Sequence, residues 1–273
     1  MTHPRSFPRL VVFDLDGTLL DAHERVADRT RTALEAITAR GTATALASGR
    51  YWSLVERTAA EVGPAMHYGI ASNGSVVGSF TAGQIIDRVT IPRHMFVEVV
   101  RLLRRHDPRL GFTVQTDDFM VFEPGFLDRS PLRPKGEEIS DVLDYDAAEP
   151  LKMWVFHPDH DEDSLIALLA PLLPPALGAG HTSLMAAEVG PIGVDKADGV
   201  ARLARHLGID RTDVMTFGDN SNDRTMLRWA GRSAALANAD DITKTCATEV
   251  TMHTHDADGV ARHLEEMLSG SKR

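Results

Sequence analysis

The chain has 273 residues, 43% of them hydrophobic and 25% charged, which is ordinary for a soluble globular protein with a sizeable core and room for a second domain. A formal net charge of −10 argues against nucleic acid or an anionic membrane as partner, because those surfaces select basic patches. The single Cys246 can form no internal disulfide, no apolar run approaches the ~20 residues a membrane helix needs, and the N-terminus lacks a signal-peptide core, so a soluble cytoplasmic protein is expected.

Residues 10–13 (Leu-Val-Val-Phe) form a short apolar run ending in Asp14, the pattern of a strand buried on both faces. A helix is expected over 24–40, stopped by Gly41, then a strand over 42–47, the tripeptide Ser48-Gly49-Arg50, a helix over 51–62 and a strand over 68–71. Strand and helix alternate here as in a parallel sheet. From about Gly83 the texture changes. A hairpin arm over 84–90, a helix over 92–106, strand-like alternation over 112–123, a loop over 126–140, a strand over 151–157, a helix over 163–173 and a strand over 183–189 are expected. Regular alternation returns with a helix over 195–207, a strand over 214–217, a helix over 222–230, a strand over 233–237 and a final amphipathic helix over 258–268. The economical reading is a doubly wound, Rossmann-like α/β core (1–82 and 190–273) interrupted by an inserted α+β domain (83–189).

Four constellations carry chemistry. Asp14 and Asp16 lie one residue apart where a buried strand ends, the edge at which open α/β sheets place their ligands. Two carboxylates there are costly unless something pairs with them, and a hard divalent cation is the natural partner. Asp14 can act as a nucleophile and Asp16 as an acid and base, while Gly17 permits a sharp turn; an acidic Asp-Gly turn is the plain alternative. Ser48 and the Gly49 N–H, ahead of a helix, form a candidate anion site, or Ser48 is simply a helix cap. Lys196 stands in a first helical turn, against the helix dipole, where it could screen repulsion between a carboxylate and a phosphate or merely face solvent. The run Gly218-Asp219-Asn220-Ser221-Asn222-Asp223 follows a strand. Asp219 could complete a metal site, Asn222 could reach a phosphate, and Asp223 could orient the metal's waters or Lys196; an Asx-rich helix start explains Asp223 equally well. Asp159, Asp161 and Asp163 lack the glycine and final glutamate of a calcium loop and read as a solvated helix start; no phosphate-cradling Gly-Lys-Ser/Thr loop exists.

Taken in order, these motifs resemble the haloacid dehalogenase superfamily of phosphohydrolases, and within it the Cof-like branch with a large α/β cap between the second and third motifs. The stretches Ser72-Asn73-Gly74, Asn238-Ala239 and Asp258-Gly259-Val260-Ala261 also resemble that branch, whereas Ala197 stands where the branch usually has Gly. The resemblance implies a phosphatase acting on a small phosphorylated metabolite through an aspartyl-phosphate on Asp14. It implies Mg²⁺ held by the Asp14 carboxylate, the Asp16 backbone carbonyl and the Asp219 carboxylate. Ser48, Gly49, Lys196 and Asn222 are then expected on the phosphate. A phosphomutase of the same architecture, a non-catalytic sugar-phosphate sensor and a dehalogenase are the alternatives; intact Asp16 argues against a pure binder, and a dehalogenase does not need this metal site.

Overall fold

The computed structural model describes residues 7–129, 136–182 and 185–270, with the side chain of Arg129 left aside. The chain forms two compact units, Met1–Asp87 with Asp195–Arg273, and Arg88–Val194. In chain order the first unit begins with β1 (Leu10–Phe13), α1 (Asp28–Thr38), β2 (Ala43–Ala47), α2 (Trp52–Val62), β3 (Tyr68–Ala71), β4 (Val76–Ser79) and β5 (Gln84–Arg88). The insert holds α3 (Arg93–His106), β6 (Gly111–Gln115), β7 (Met120–Phe122), α4 (Phe126–Arg129), β8 (Gly136–Glu138), β9 (Met153–Phe156), α5 (Glu162–Leu169), β10 (Leu177–His181) and β11 (Ala187–Pro191). The chain then returns with α6 (Lys196–Leu207), β12 (Val214–Gly218), α7 (Arg224–Trp229), β13 (Arg232–Ala235), α8 (Asp241–Lys244), β14 (Glu249–Val250) and α9 (Gly259–Gly270).

The core is an α/β sheet in the order β14-β13-β12-β1-β2-β3-β4-β5, parallel from β14 to β3 and antiparallel where β3 meets β4. All four residues of β1 are buried, as expected of a central strand covered on both faces. Leu10, Val12, Ala45 and Ile70 pack on one face against Val200, Leu203 and Met226 of α6 and α7. On the other face Arg29 of α1 meets Glu265 of α9 at 2.6 Å, and Trp52 fills space that side chains at Gly69 and Gly78 would occupy. Register sets the site: Phe13 lies opposite both Phe217 and Leu46, so the chain leaves β1, β2 and β12 at the same edge, with Asp14, Ser48 and Asp219 just beyond.

The insert has its own sheet, β10-β11-β9-β6-β7-β8. Phe112, Val114, Val121, Met153, Val155, Ala187 and Val189 form one core with Phe96, Val100 and Leu103 of α3 and Leu165 and Leu169 of α5. Alternation sends Lys152, Trp154 and Glu188 away from that core. Several expectations change. The loop expected over 126–140 contains α4 and β8, and β4, β10, α8 and β14 carry no strong periodic signal. Ser183 and Leu184, the start of an expected strand, lie outside the described residues, as do 1–6 and 271–273. The Asp-rich stretch is a helix cap: Asp161 accepts from the Ser164 N–H at 2.9 Å. Among the described residues no helix is long and apolar enough to cross a membrane.

Candidate active site

Asp14 is the first residue past β1, 5% exposed, with its N–H donated to the Phe217 carbonyl at 2.9 Å. The chain then turns through Leu15–Leu19, where Gly17 has φ +81° and a Cβ would land on the Asp219 carboxylate, so glycine is required twice over. Thr18 Oγ1 donates to Asp219 Oδ1 at 2.8 Å. Asn238 Nδ2 donates to the Gly17 carbonyl at 2.9 Å and to Asp219 Oδ2 at 3.3 Å, fastening the turn to the end of β12.

Lys196 opens α6, whose N-cap Asp195 accepts from the Asp198 N–H at 2.9 Å. Lys196 is 1% exposed, and its ammonium lies 2.5 Å from Asp14 Oδ1 and 2.6 Å from Asp223 Oδ1. The other Asp223 oxygen accepts from the backbone N–H groups of Asp219 (3.0 Å) and Asn220 (2.9 Å). One carboxylate oxygen from each of Asp14, Asp219 and Asp223 lies within 4.8 Å of the other two.

One ammonium cannot neutralise three carboxylates, and the titration behaviour follows. Burial pushes the Asp14 carboxyl well above its ordinary range; repulsion from Asp223 adds to this and Lys196 only partly opposes it. Asp219 is raised for the same leading reason, with the Thr18 hydroxyl pulling the other way. For Lys196 burial disfavours the charge, but Asp14 and Asp223 outweigh it and the net shift is upward. Fully ionised, the three carboxylates would carry more buried negative charge than Lys196 can balance, which suits a divalent cation with oxygen ligands.

Asp16 is placed differently. Its carboxylate does not join the cluster but receives the Arg50 guanidinium, Nε to Oδ2 at 3.0 Å and Nη2 to Oδ1 in a shorter contact. Ser48 is buried, and its Oγ accepts from the Arg50 N–H at 3.1 Å. The loop Ser72–Gly74 runs left-handed for three residues, with φ of 52°, 52° and 102°. It is held by Ser72 N to Arg50 O (2.8 Å) and Asn73 N to Ser48 O (3.0 Å). Asn73 Oδ1 then accepts from Asn222 Nδ2 at 3.2 Å and lies where a side chain at Gly49 would press on it. The structure thus brings together Asp14, Lys196, Asp219 and Asp223, and separately links Ser48 and Gly49 to Asn222 through Asn73. Asn73, Asn238, Thr18 and Arg50 received no role from sequence reasoning. The available signal was positional: each follows soon after a core strand at the same sheet edge.

The haloacid dehalogenase-like hydrolase family model matches residues 11–264, nearly the whole chain. The chain belongs to this family. Within it, the HMP-PP phosphatase of Escherichia coli O157:H7 is 30% identical over 238 residues, 85% of each chain. YxeH of Bacillus subtilis, whose name classes it only provisionally as a phosphatase, is 28% identical over 95% of this chain and 98% of its own. Among solved structures, BT1666 of Bacteroides thetaiotaomicron superposes with a TM-score of 0.80 at 23% identity, covering 97% of both chains. The subclass IIB sugar phosphatase BT4131 gives 0.76 at 22%, covering 95% of this chain and 98% of its own. The likeness to these two structures is one of fold; enzyme class rests on the family.

Proposed function

We propose that this hydrolase is a Mg²⁺-dependent phosphatase of small phosphomonoesters, sugar phosphates or similar metabolites, working through an aspartyl-phosphate on Asp14. The observation that carries the reading is the buried, over-acidic cluster in which Lys196 bridges Asp14 and Asp223 at the edge where the parallel strands end. The names of the relatives, an HMP-PP phosphatase and a sugar phosphatase, support a small phosphorylated metabolite as substrate.

In the first step an Asp14 oxygen attacks phosphorus, the bond to the leaving oxygen breaks, and that oxygen takes a proton from Asp16. In the second, water attacks phosphorus, Asp16 takes its proton, the Asp14–phosphorus bond breaks and inorganic phosphate leaves. The Ser48 hydroxyl, the Gly49 N–H, the Lys196 ammonium and the Asn222 amide stabilise the equatorial oxygens, where such catalysis chiefly lies. Asp223 serves by holding Lys196 in place. The Asp14 and Asp219 carboxylates and the Asp16 backbone carbonyl would hold Mg²⁺, which supplies the positive charge that the cluster lacks. The inserted segment, about 83–189, acts as a cap that chooses the leaving group. We place the enzyme in the cytoplasm, a setting that the lone Cys246 fits.

A phosphomonoester panel assayed with and without Mg²⁺ on the wild type and on Asp14→Asn tests this. Mg²⁺-dependent release of inorganic phosphate, lost in the variant, is expected. Turnover by Asp14→Asn, or transfer between positions of a sugar phosphate without net phosphate release, would overturn it; the second result would identify a mutase.

A further inference from the structure

Arg50 is held with unusual completeness for a residue in a loop. Its N–H donates to Ser48 Oγ at 3.1 Å, and its carbonyl accepts from the Ser72 N–H at 2.8 Å. Its side chain is only 19% exposed, although the carboxylate that it grips, Asp16, is 56% exposed. Two parallel N–H bonds reach the two Asp16 oxygens, the fork-to-fork geometry that fixes a carboxylate in both direction and tilt. The outer guanidinium nitrogen also donates to Glu24 Oε1 at 3.1 Å.

Glu24 in turn sits where a side chain is rarely found, at φ +57°. The turn that imposes this is closed by Glu24 N to Asp21 O and Asp21 N to Arg25 O, both 2.9 Å. Asp21 Oδ1 ties it further, accepting from His23 N at 2.8 Å and Arg25 N at 2.9 Å. A strained turn that aims a carboxylate at an arginine already paired elsewhere is a costly arrangement for a surface ion pair worth little by itself.

We infer that Arg50 is the positioning residue for the proton-transferring carboxylate of Asp16, with Glu24 steadying the guanidinium through the same Nη2 that reaches Asp16. This rests on the proposed role of Asp16 as acid and base. Asp16 has no other side-chain partner recorded among the described residues, so without Arg50 its carboxylate is free to rotate. Proton transfer to a leaving oxygen needs that carboxyl within hydrogen-bond reach and correctly turned. Poor leaving groups depend on the transfer; good ones do not.

The test is a series of phosphate monoesters of rising leaving-group basicity, from p-nitrophenyl through phenyl to glycerol phosphate, assayed with Mg²⁺ on wild type, Arg50→Lys, Arg50→Ala, Glu24→Gln and Asp16→Asn. Arg50→Lys keeps the charge but loses the fork. In both Arg50 variants kcat/KM is expected to fall about 10-fold or more for glycerol phosphate but less than about 3-fold for p-nitrophenyl phosphate. Glu24→Gln should shift in the same sense and by less. Adding Arg50→Ala to Asp16→Asn should cost little more than Asp16→Asn alone, because the two act through one group. Equal losses across the series in the Arg50 variants, or additive losses in the double variant, would overturn the assignment. If Asp16→Asn itself shows no dependence on the leaving group, the acid–base reading fails with it; if Asp16→Asn does and the Arg50 variants do not, only the positioning role fails. Thermal melts separate either result from misfolding.

Discussion

Among the described residues two lysines are almost wholly buried, one in each unit, and they live in different electrostatic worlds. Lys152, beside β9 of the insert, is 3% exposed and faces a single carboxylate, Glu188 of the neighbouring β11, at 2.5 Å. Lys196 of the core is 1% exposed and faces two, Asp14 and Asp223, with Asp219 close by. The first arrangement is charge-matched: one desolvated cation and one partly desolvated anion repay each other. The second is not, and its surplus shows in the raised Asp14 and Asp219. A buried pair in balance is a structural joint; a buried cluster out of balance is waiting for something positive.

The sharpest way to break that contrast is Asp14→Asn. Turnover of any phosphomonoester should fall on the order of 10⁴-fold or more, as when a nucleophile is removed. The metal-free melting temperature should hold or rise, because Lys196 and Asp223 are left as a matched pair. Steady-state assays beside thermal melts check both halves; a variant that loses stability in step with activity would put Asp14 in the same class as Glu188. Glu188→Gln should do the reverse. It strands the Lys152 ammonium and should cost about 2–4 kcal/mol, somewhat below the ~3–5 of a fully buried pair because Glu188 keeps some water. Lys152→Met should cost less, since the carboxylate left behind can solvate. Chemical denaturation of the two variants measures the asymmetry, and equal costs would contradict it.

Asp223→Asn sharpens the point from inside the cluster. Its charge is surplus, but its oxygens are not: one takes Lys196 and the other takes two backbone N–H groups. An amide must turn its NH₂ toward one of these donors, which should cost about 1–3 kcal/mol for the unsatisfied group. Denaturant midpoints should therefore separate Asp223→Asn from Asp14→Asn, although both remove one charge from the same site.

The core strands were legible because a strand buried on both faces must be a short apolar run and because Gly and Asp punctuate its end; β1 and β3 have the bounds expected of 10–13 and 68–71. Lys196 was legible for a related reason, being a cation in a first helical turn. What escaped has a common physics. β10 (Leu-Gly-Ala-Gly-His) and the two-residue β14 owe their strand state to pairing with β11 and β13 rather than to side-chain pattern. The Asp16–Arg50 pair joins residues 34 apart, and Asn238 reaches Gly17 across 221, contacts that no local window contains. Asn73 was visible as part of a family-like stretch, but its role in linking Gly49 to Asn222 depends on a left-handed backbone that the sequence does not display.

A thermal shift by Mg²⁺ carries the most direct reading of the imbalance. Asp14 and Asp219 both have folded values raised above an ordinary 3.8. A group raised by folding contributes stability that is present below its unfolded value and is lost as pH climbs through the folded one. Taken alone, these two carboxyls therefore make the metal-free protein less stable as pH rises. On the proposed reading Mg²⁺ would bind the ionised carboxylates, so its stabilisation would run the opposite way, weak in acid and growing as the same two groups lose their protons. Groups lowered by folding, such as Asp240 beside Thr243 and Glu249 beside His263, lose stability as pH falls. They do so with or without the metal and cancel in the difference. At 100 times the dissociation constant the shift should approach about 2.7 kcal/mol. Melts with and without Mg²⁺ from roughly pH 4 to 8 should thus diverge with rising pH, the divergence beginning above the ordinary carboxylate value. Asp219→Asn should flatten it, whereas Glu188→Gln, which lowers both curves, should leave their separation intact. A Mg²⁺ shift constant across that range, or one preserved in Asp219→Asn, would mean that the cation stabilises the protein somewhere other than this cluster.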